Sequence, residues 1–174
     1  MWVEANPDIF QDLLINISEF KYQTAYQAVL HSSYGKKINF YLSSNDAASS
    51  SIYDFSKQYK EKKIHFENKV RNISMKNKIE LTTNTLDNLF LKIDENINDY
   101  DHLVIDVQGA ELEVLKGSNK MLDVCKTIFV EVSTEKFYQN GSNWTEIKKF
   151  LNTKNFIQLR EPLKNHDDII FIKK

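Results

Sequence analysis

The sequence predicts an α/β fold: a mostly parallel sheet flanked by helices, closed by an antiparallel hairpin at the carboxyl terminus. Three observations predict it. Leu103-Val104-Ile105 is a continuous apolar run of the kind found in a strand covered on both faces, and it passes through Asp106 into the helix-forming stretch Ala110 to Lys116. Thr127 to Val132 repeats the buried-strand pattern, and strand and helix signals alternate along the chain without an internal repeat or low-complexity linker. Phe156 to Leu159 and Asp168 to Ile172, separated by a polar stretch around Pro162, pair naturally as a terminal hairpin.

The elements follow in order. Trp2 to Ala5 is a short strand, and Asn6-Pro7-Asp8 starts a helix with an Asn cap, a proline at the first helical position and an acid near the positive end of the dipole. Ile9, Phe10, Leu13, Leu14 and Ile17 then form one apolar face that should pack on the sheet. Tyr26 to Leu30 reads as a strand, and Lys37 to Leu42 as another after a turn at Gly35. Ser43 to Asn68 is polar and aperiodic and reads as an exposed loop or lid with at most a short helix. Val70 to Met75 and Ile79 to Thr83 are expected as short strands joined by a polar turn, Lys76-Asn77-Lys78. Thr85 to Phe90 starts a helix capped by Asn84 or Thr85, and Gly117 ends the helix after Asp106, leaving Ser118 to cap a further turn. Asn143-Trp144-Thr145-Glu146 has the spacing of a capping box, with Trp144, Ile147, Phe150 and Leu151 on one helical face.

A chain of 174 residues, 41% hydrophobic and 27% charged, fits one domain with a buried core. With Lys+Arg 23 against Asp+Glu 24, the charge is −1 and leaves no electrostatic footprint for nucleic acid or an anionic membrane, so neither is expected as a partner. No apolar stretch approaches the roughly 20 residues that span a bilayer and no signal-peptide pattern opens the chain, so a cytoplasmic location is the expectation. The one cysteine, Cys125, beside an apolar strand, reads as a buried structural side chain.

The segment His102 to Gly117, HLVIDVQGAELEVLKG, carries the functional signal. Its IDVQGAELEVLKG core resembles the signature of the FkbM-type methyltransferases, S-adenosylmethionine-dependent enzymes that mostly methylate hydroxyl groups. Further segments match in the family's order: Trp2-Val3-Glu4-Ala5-Asn6-Pro7, the serines Ser49-Ser50-Ser51 before Ile52-Tyr53, Thr85-Leu86-Asp87, and Ile128-Phe129-Val130-Glu131-Val132. The resemblance implies a Rossmann-like class I methyltransferase sheet, S-adenosyl-L-methionine as cofactor, and a small-molecule, sugar or lipid acceptor. It also implies a departure. Class I methyltransferases open with a strand and a glycine-rich turn, whereas this sequence has only 4 glycines and no G-x-G cluster. Two readings follow: the carboxyl-terminal part of a longer enzyme, or a natural short form that has lost the turn. The single methyltransferase-like domain over residues 1–174 is thus amino-terminally incomplete, its first strand missing, relative to the family. In the family's strand order the missing strand lies between the Trp2 to Ala5 strand and the Leu103 to Asp106 strand. Those two should therefore pair directly, be bridged by another segment, or belong to a longer polypeptide.

In open α/β sheets ligands bind outside the carboxyl ends of the strands, which selects the candidate residues. Glu4, ending the first strand, can accept hydrogen bonds from both ribose hydroxyls, as the resemblance implies, or be a solvated strand-end carboxylate. Leu30 and His31 fall where such enzymes flank the adenine. Asp106 and Gln108 would lie near the transferred methyl, where a carboxylate can orient or deprotonate a hydroxyl and its charge favours a cationic cofactor. The competing role for Asp106 is to cap the helix beginning at Gly109. Glu111 suits a supporting role in the first turn, and Glu131, ending the next strand, would face the acceptor or be an ordinary strand terminus. Ser49, Ser50 and Ser51 read as a polar lid or a flexible loop. His65, His102 and His166 show no ligand spacing, so no metal is expected. A different class of function stands beside the enzyme: a catalytically silent relative serving as a binding or assembly module. An exposed sheet edge would favour a homodimer in either case.

Overall fold

The computed structural model describes residues 1–61, 65–66, 69–70 and 73–174. The architecture is mixed α/β. β1 (Trp2–Glu4) leads into α1 (Pro7–Ile17), where the Asn6 side chain accepts the Asp8 N–H at 3.0 Å and Pro7 begins the helix, as the Asn-Pro-Asp run dictates. β2 (Ala25–Gln27) lies parallel beside β1, with Glu4 opposite Gln27. The strand expected over Tyr26 to Leu30 divides at Ala28. Its second part, β3 (Val29–Leu30), joins a different sheet, beside the last residues of a long strand at Met75–Asn84.

β4 (Lys37–Ser43) forms an antiparallel ribbon with that long strand, and between them lie α2 (Lys57–Glu61) and the two-residue strands β5 (His65–Phe66) and β6 (Lys69–Val70), which pair with each other. The polar run Lys76-Asn77-Lys78 is not a turn: it lies inside β7 (Met75–Asn84), with Tyr41 opposite Lys78 and Leu42 opposite Asn77. Cross-strand pairing with β4 overrides the low strand propensity of lysine and asparagine where the ribbon faces water. The separate strand expected over Val70 to Met75 lies partly outside the described residues, as does part of the Ser43 to Asn68 loop.

The second half builds the core. α3 (Leu86–Phe90), capped by Thr85 Oγ1, and a 3₁₀ turn at Ile97–Asp99 precede β8 (His102–Ile105), which is followed by α4 (Glu111–Lys116), α5 (Asn119–Val124) and β9 (Thr127–Ser133). α6 (Trp144–Thr153) opens with the expected reciprocal capping box between Asn143 and Glu146, and β10 (Phe156–Gln158) and β11 (His166–Lys173) form the terminal antiparallel hairpin. The sheet order is β10-β11-β9-β8, with β8 parallel to β9. Ile105, Ile128, Val130, Val132, Ile169 and Phe171 bury one face of it against Val114, Leu115, Met121, Leu122, Ile147 and Leu151 of the helices. Each such side chain contributes roughly 1.5–3 kcal/mol on burial, which makes this face the main source of stability. Cys125 is fully buried, and burial pushes its thiol up to about 11, as a structural cysteine requires.

Three expectations are corrected. The opposite face of the same sheet carries Val104, Phe129 and Ile170, which are 70%, 39% and 39% exposed, so Leu103-Val104-Ile105 is an edge strand covered on one side. An apolar run alone does not count covered faces. Pairing is not mostly parallel: β1–β2, β3–β7 and β8–β9 are parallel, whereas β4–β7, β5–β6, β9–β11 and β10–β11 are antiparallel. Neither structural solution to the missing first strand is present among the described residues. β1 pairs with β2 and β8 with β9, with no direct pairing and no strand between them. Side chains hold the two parts together instead, Met1, Val3, Tyr26, Ala28 and Leu30 packing on the core cluster. The helix α1 is correspondingly less buried than its apolar face implies, with Leu14 39% and Ile15 70% exposed.

The start of α5 is held from outside. Ser118 does not cap it: its hydroxyl donates to the Val114 carbonyl at 2.6 Å, and the Asp87 carboxylate accepts the Lys120 N–H at 3.0 Å and the Met121 N–H at 3.4 Å. Replacing Asp87 by Ala should therefore lower the unfolding free energy by about 1 kcal/mol, the usual cost of losing an N-terminal cap, as measured by urea denaturation.

Candidate functional site

The turn from Asp106 to Gly109 carries the chemistry, and its backbone is unusual. Gln108 has φ +56 and Gly109 φ +96, both left-handed. Glycine is required at 109, because a Cβ there would lie 2.7 Å from Tyr138 Cδ2. Gln108 tolerates its conformation because every polar atom beyond its Cα is engaged. Its carbonyl accepts the Ser51 hydroxyl at 2.7 Å, and its Nε2 donates to Asp106 Oδ1 at 2.7 Å and to Glu131 Oε2 at 3.1 Å. Its Oε1 accepts the Tyr138 hydroxyl at 2.8 Å.

Glu111 fastens the turn from below. Its Oε1 accepts the Gly109 N–H at 2.9 Å and the Val107 N–H at 3.3 Å, and Ser142 Oγ donates to Oε2 at 3.3 Å. No side chain caps α4, so Asp106 does not take the capping role the sequence offered it; Glu111 instead holds the turn before the helix, and the Asp106 carboxylate is left to Gln108 and the strand tips. Burial pushes the Glu111 carboxyl up to about 7, against the lowering pull of the backbone donors.

One cavity of about 250 Å³ adjoins the turn. Val3, Glu4, Ala5 and Asn6 form one wall, Ala28 to Leu30 and Phe40 a second, Asp46 to Ala48 with Ser50 a third, and Asp106 to Gln108 the fourth. Glu4 and Asp106 thus border the same crevice although β1 and β8 share no hydrogen bonds. Three carboxylates line it, Glu4, Asp46 and Asp106, with no lysine, arginine or histidine among the lining residues. One Glu4 oxygen accepts the Asn6 N–H at 2.6 Å, which fixes the side chain and leaves the other oxygen available. Leu30 lines the cavity. His31 does not: past the end of β3 its ring turns to Ser33, 3.2 Å away, and to Glu113 of α4, 3.6 Å away.

The serine segment is a built turn rather than a loose lid. Ser50 Oγ accepts the Ser43 N–H at 3.0 Å, Ser49 Oγ accepts from Asn45 at 2.9 Å, and Ser51 is buried against Gln108. Left-handed Asp46 and Ala47 form its tip, which places the Asp46 side chain at the cavity. Sequence reasoning did not single out Asp46, since a loop acid carries no periodic signal.

Behind Asp106 the strand tips concentrate charge. Asp106, Glu111 and Glu131 bring one oxygen each within 4.8 Å of one another, a set of hard oxygen donors that Gln108 and the backbone of the turn partly satisfy. No spacing in the sequence announces the trio, which tertiary packing assembles from three elements. Partial burial, then the Glu131 charge, raises the Asp106 carboxyl above the usual range. His166, also unmarked in the sequence, reaches Glu131 Oε1 with Nδ1 at 3.3 Å because antiparallel pairing sets β11 beside β9. The hydrogen bond to Glu131 raises its pKa. Glu131 and His166 lie outside the cavity lining, so Glu131 meets the cavity only through Gln108 and Asp106.

Two predictions follow from this geometry. Gly109→Ala must strain a left-handed backbone and displace the Tyr138 ring, at a cost of about 1–3 kcal/mol in a urea titration. For Glu111 the folded protein keeps a proton that the unfolded chain, with a value near 4.5, releases. Its contribution therefore falls as pH rises from about 4.5 to about 7. Glu111→Gln should flatten the dependence of melting temperature on pH across that window.

The chain matches the family model described as the Methyltransferase FkbM domain over residues 1–158. No curated protein and no solved structure matches it. The matched span holds every wall of the cavity, the reactive turn and Glu131, and the chain belongs to the FkbM methyltransferase domain family.

Proposed function

We propose that the protein acts as an S-adenosyl-L-methionine-dependent O-methyltransferase on a hydroxyl of a small molecule, sugar or lipid. The observation that carries this reading is the charge of the cavity: three carboxylates and no base, set among apolar walls from Val3, Ile9, Leu30, Phe40 and Ile52. Such a site favours a ligand that is cationic, partly apolar and rich in hydrogen-bond donors. S-adenosyl-L-methionine has those properties, and family membership supports the choice. When bound, it supplies an activated methyl group on a positively charged sulfur.

The residues of the chain then divide the work. Glu4, held by the Asn6 N–H, keeps one oxygen for ribose hydroxyls, while Leu30 and Phe40 offer apolar contact to a base. Asp106 accepts the hydrogen of the acceptor hydroxyl. Its raised pKa makes it a stronger proton acceptor than an ordinary carboxylate. Gln108 restrains Asp106 and Glu131 against mutual repulsion. Alignment of acceptor and methyl is the larger contribution, worth up to roughly 7–11 kcal/mol in well-oriented systems.

The unpaired edges of β1 and β8 favour a second reading, a methyltransferase-fold binding or assembly module without turnover. Isothermal calorimetry with S-adenosyl-L-methionine and its demethylated product separates the two. The enzyme reading expects micromolar binding, weakened about tenfold or more by Glu4→Gln, because a hydrogen bond to a charged group contributes about 1.5–3 kcal/mol. Absence of binding by the wild-type chain would overturn it.

A further inference from the structure

Tyr138 lies between β9 and α6, outside every motif of the sequence, and is 5% exposed. Its hydroxyl has two neighbours, Gln108 Oε1 at 2.8 Å and the Ser49 carbonyl at 3.2 Å. Both are acceptors, so the hydroxyl must donate, and a single hydrogen serves the shorter contact. On the far side of Gln108 the amide nitrogen faces two carboxylates, Asp106 and Glu131. A reversed amide would turn its oxygen toward both charges, so the two carboxylates fix which way the amide points and the Tyr138 hydroxyl meets the oxygen that results. The ring meanwhile fills the space left by the missing Cβ of Gly109, the Tyr138 Cβ lies against Gly141, and the backbone beside it bridges to Phe55.

We propose that Tyr138 is a positioning residue for Asp106: by donating to Gln108 Oε1 it holds in place the amide whose nitrogen donates to Asp106 and Glu131. The proposal rests on the methyltransferase reading for its purpose and on hydrogen-bond geometry for its content. Burial holds the phenol un-ionised far above neutral pH, so the donor persists throughout the working range. Tyr138 does not line the 250 Å³ cavity, and its hydroxyl reaches Asp106 through the Gln108 amide. Its effect on ligand binding must therefore vanish when the Gln108 side chain is removed.

The test uses protein labelled with ¹⁵N-glutamine and ¹⁵N-tryptophan, with the Gln108 and Trp144 side-chain signals identified by their loss in Gln108→Ala and Trp144→Phe. Tyr138→Phe should speed solvent exchange of the Gln108 amide about fivefold, the fold-change of one neutral hydrogen bond. The Trp144 indole N–H, which donates to Glu161 at 2.9 Å, is the control and should not change. Unchanged Gln108 exchange, or equal acceleration at Trp144, would overturn the proposal, the latter by revealing general loosening. Calorimetry with S-adenosyl-L-methionine supplies the second arm. Tyr138→Phe should weaken binding in the wild-type background and have no effect in Gln108→Ala, and additive losses would overturn the proposal. A wild-type chain that binds nothing defeats the methyltransferase reading, while the exchange measurement still decides the role of Tyr138.

Discussion

The reactive turn depends on one buried carboxyl. Two successive left-handed residues leave the Val107 and Gly109 N–H groups pointing inward, where no helix carbonyl can meet them, and each would cost about 1–3 kcal/mol if unpaired. Glu111 supplies one oxygen to both from the first turn of α4. The cost is a carboxyl forced out of water, visible in its displaced ionisation. Because Glu111 holds the backbone, Asp106 is released from capping and can face the cavity. Support and chemistry are thus assigned to different acids five positions apart, and neither could perform both tasks with one pair of oxygens.

The cavity is bordered by two strands that do not share a ladder. Among the described residues β1 pairs only with β2 and β8 only with β9, so the placement of Glu4 relative to Asp106 depends on side-chain packing and on the serine turn. The contacts that cross it are Ser51 to the Gln108 carbonyl and Tyr138 to Ser49, with the Tyr41–Ser51 bridge behind them. Side-chain contacts of this kind define a distance less stiffly than a continuous sheet does, because each contributes only about a kilocalorie and none repeats along the strand. The width of the crevice along the β1–β8 direction therefore rests on packing rather than on a hydrogen-bonded ladder.

Much of this was legible in the sequence, and what was not has a common cause. The Asn6 cap, the Asn143–Glu146 box, the terminal hairpin and the convergence of Glu4, Leu30, Asp106 and Gln108 all rest on local signals: caps, alternation, and acids at strand ends. The errors arise where tertiary pairing overrides those signals. Lys76-Asn77-Lys78 is a strand because β4 lies beside it, and Leu103 to Ile105 is an edge because nothing described pairs beyond it. Tyr138, Asp46 and His166 could not be read at all. Each owes its place to contacts with residues distant in sequence, and none lies on a periodic face.

The arrangement of charge at the strand tips also restricts how the site can respond to its ligand. The Glu131 charge raises the Asp106 carboxyl, and the Gln108 amide between the two acids, which donates to both, opposes that shift. A positive ligand in the cavity would reach Asp106 but not Glu131, which lies outside the lining. It would therefore favour the ionised form of Asp106 and strengthen the hydrogen bond that Asp106 accepts from the Gln108 amide. Occupancy of the cavity by a cation and rigidity of the reactive turn become two aspects of one equilibrium, and by linkage a variant that loosens the Gln108 amide must also lose affinity for the cation.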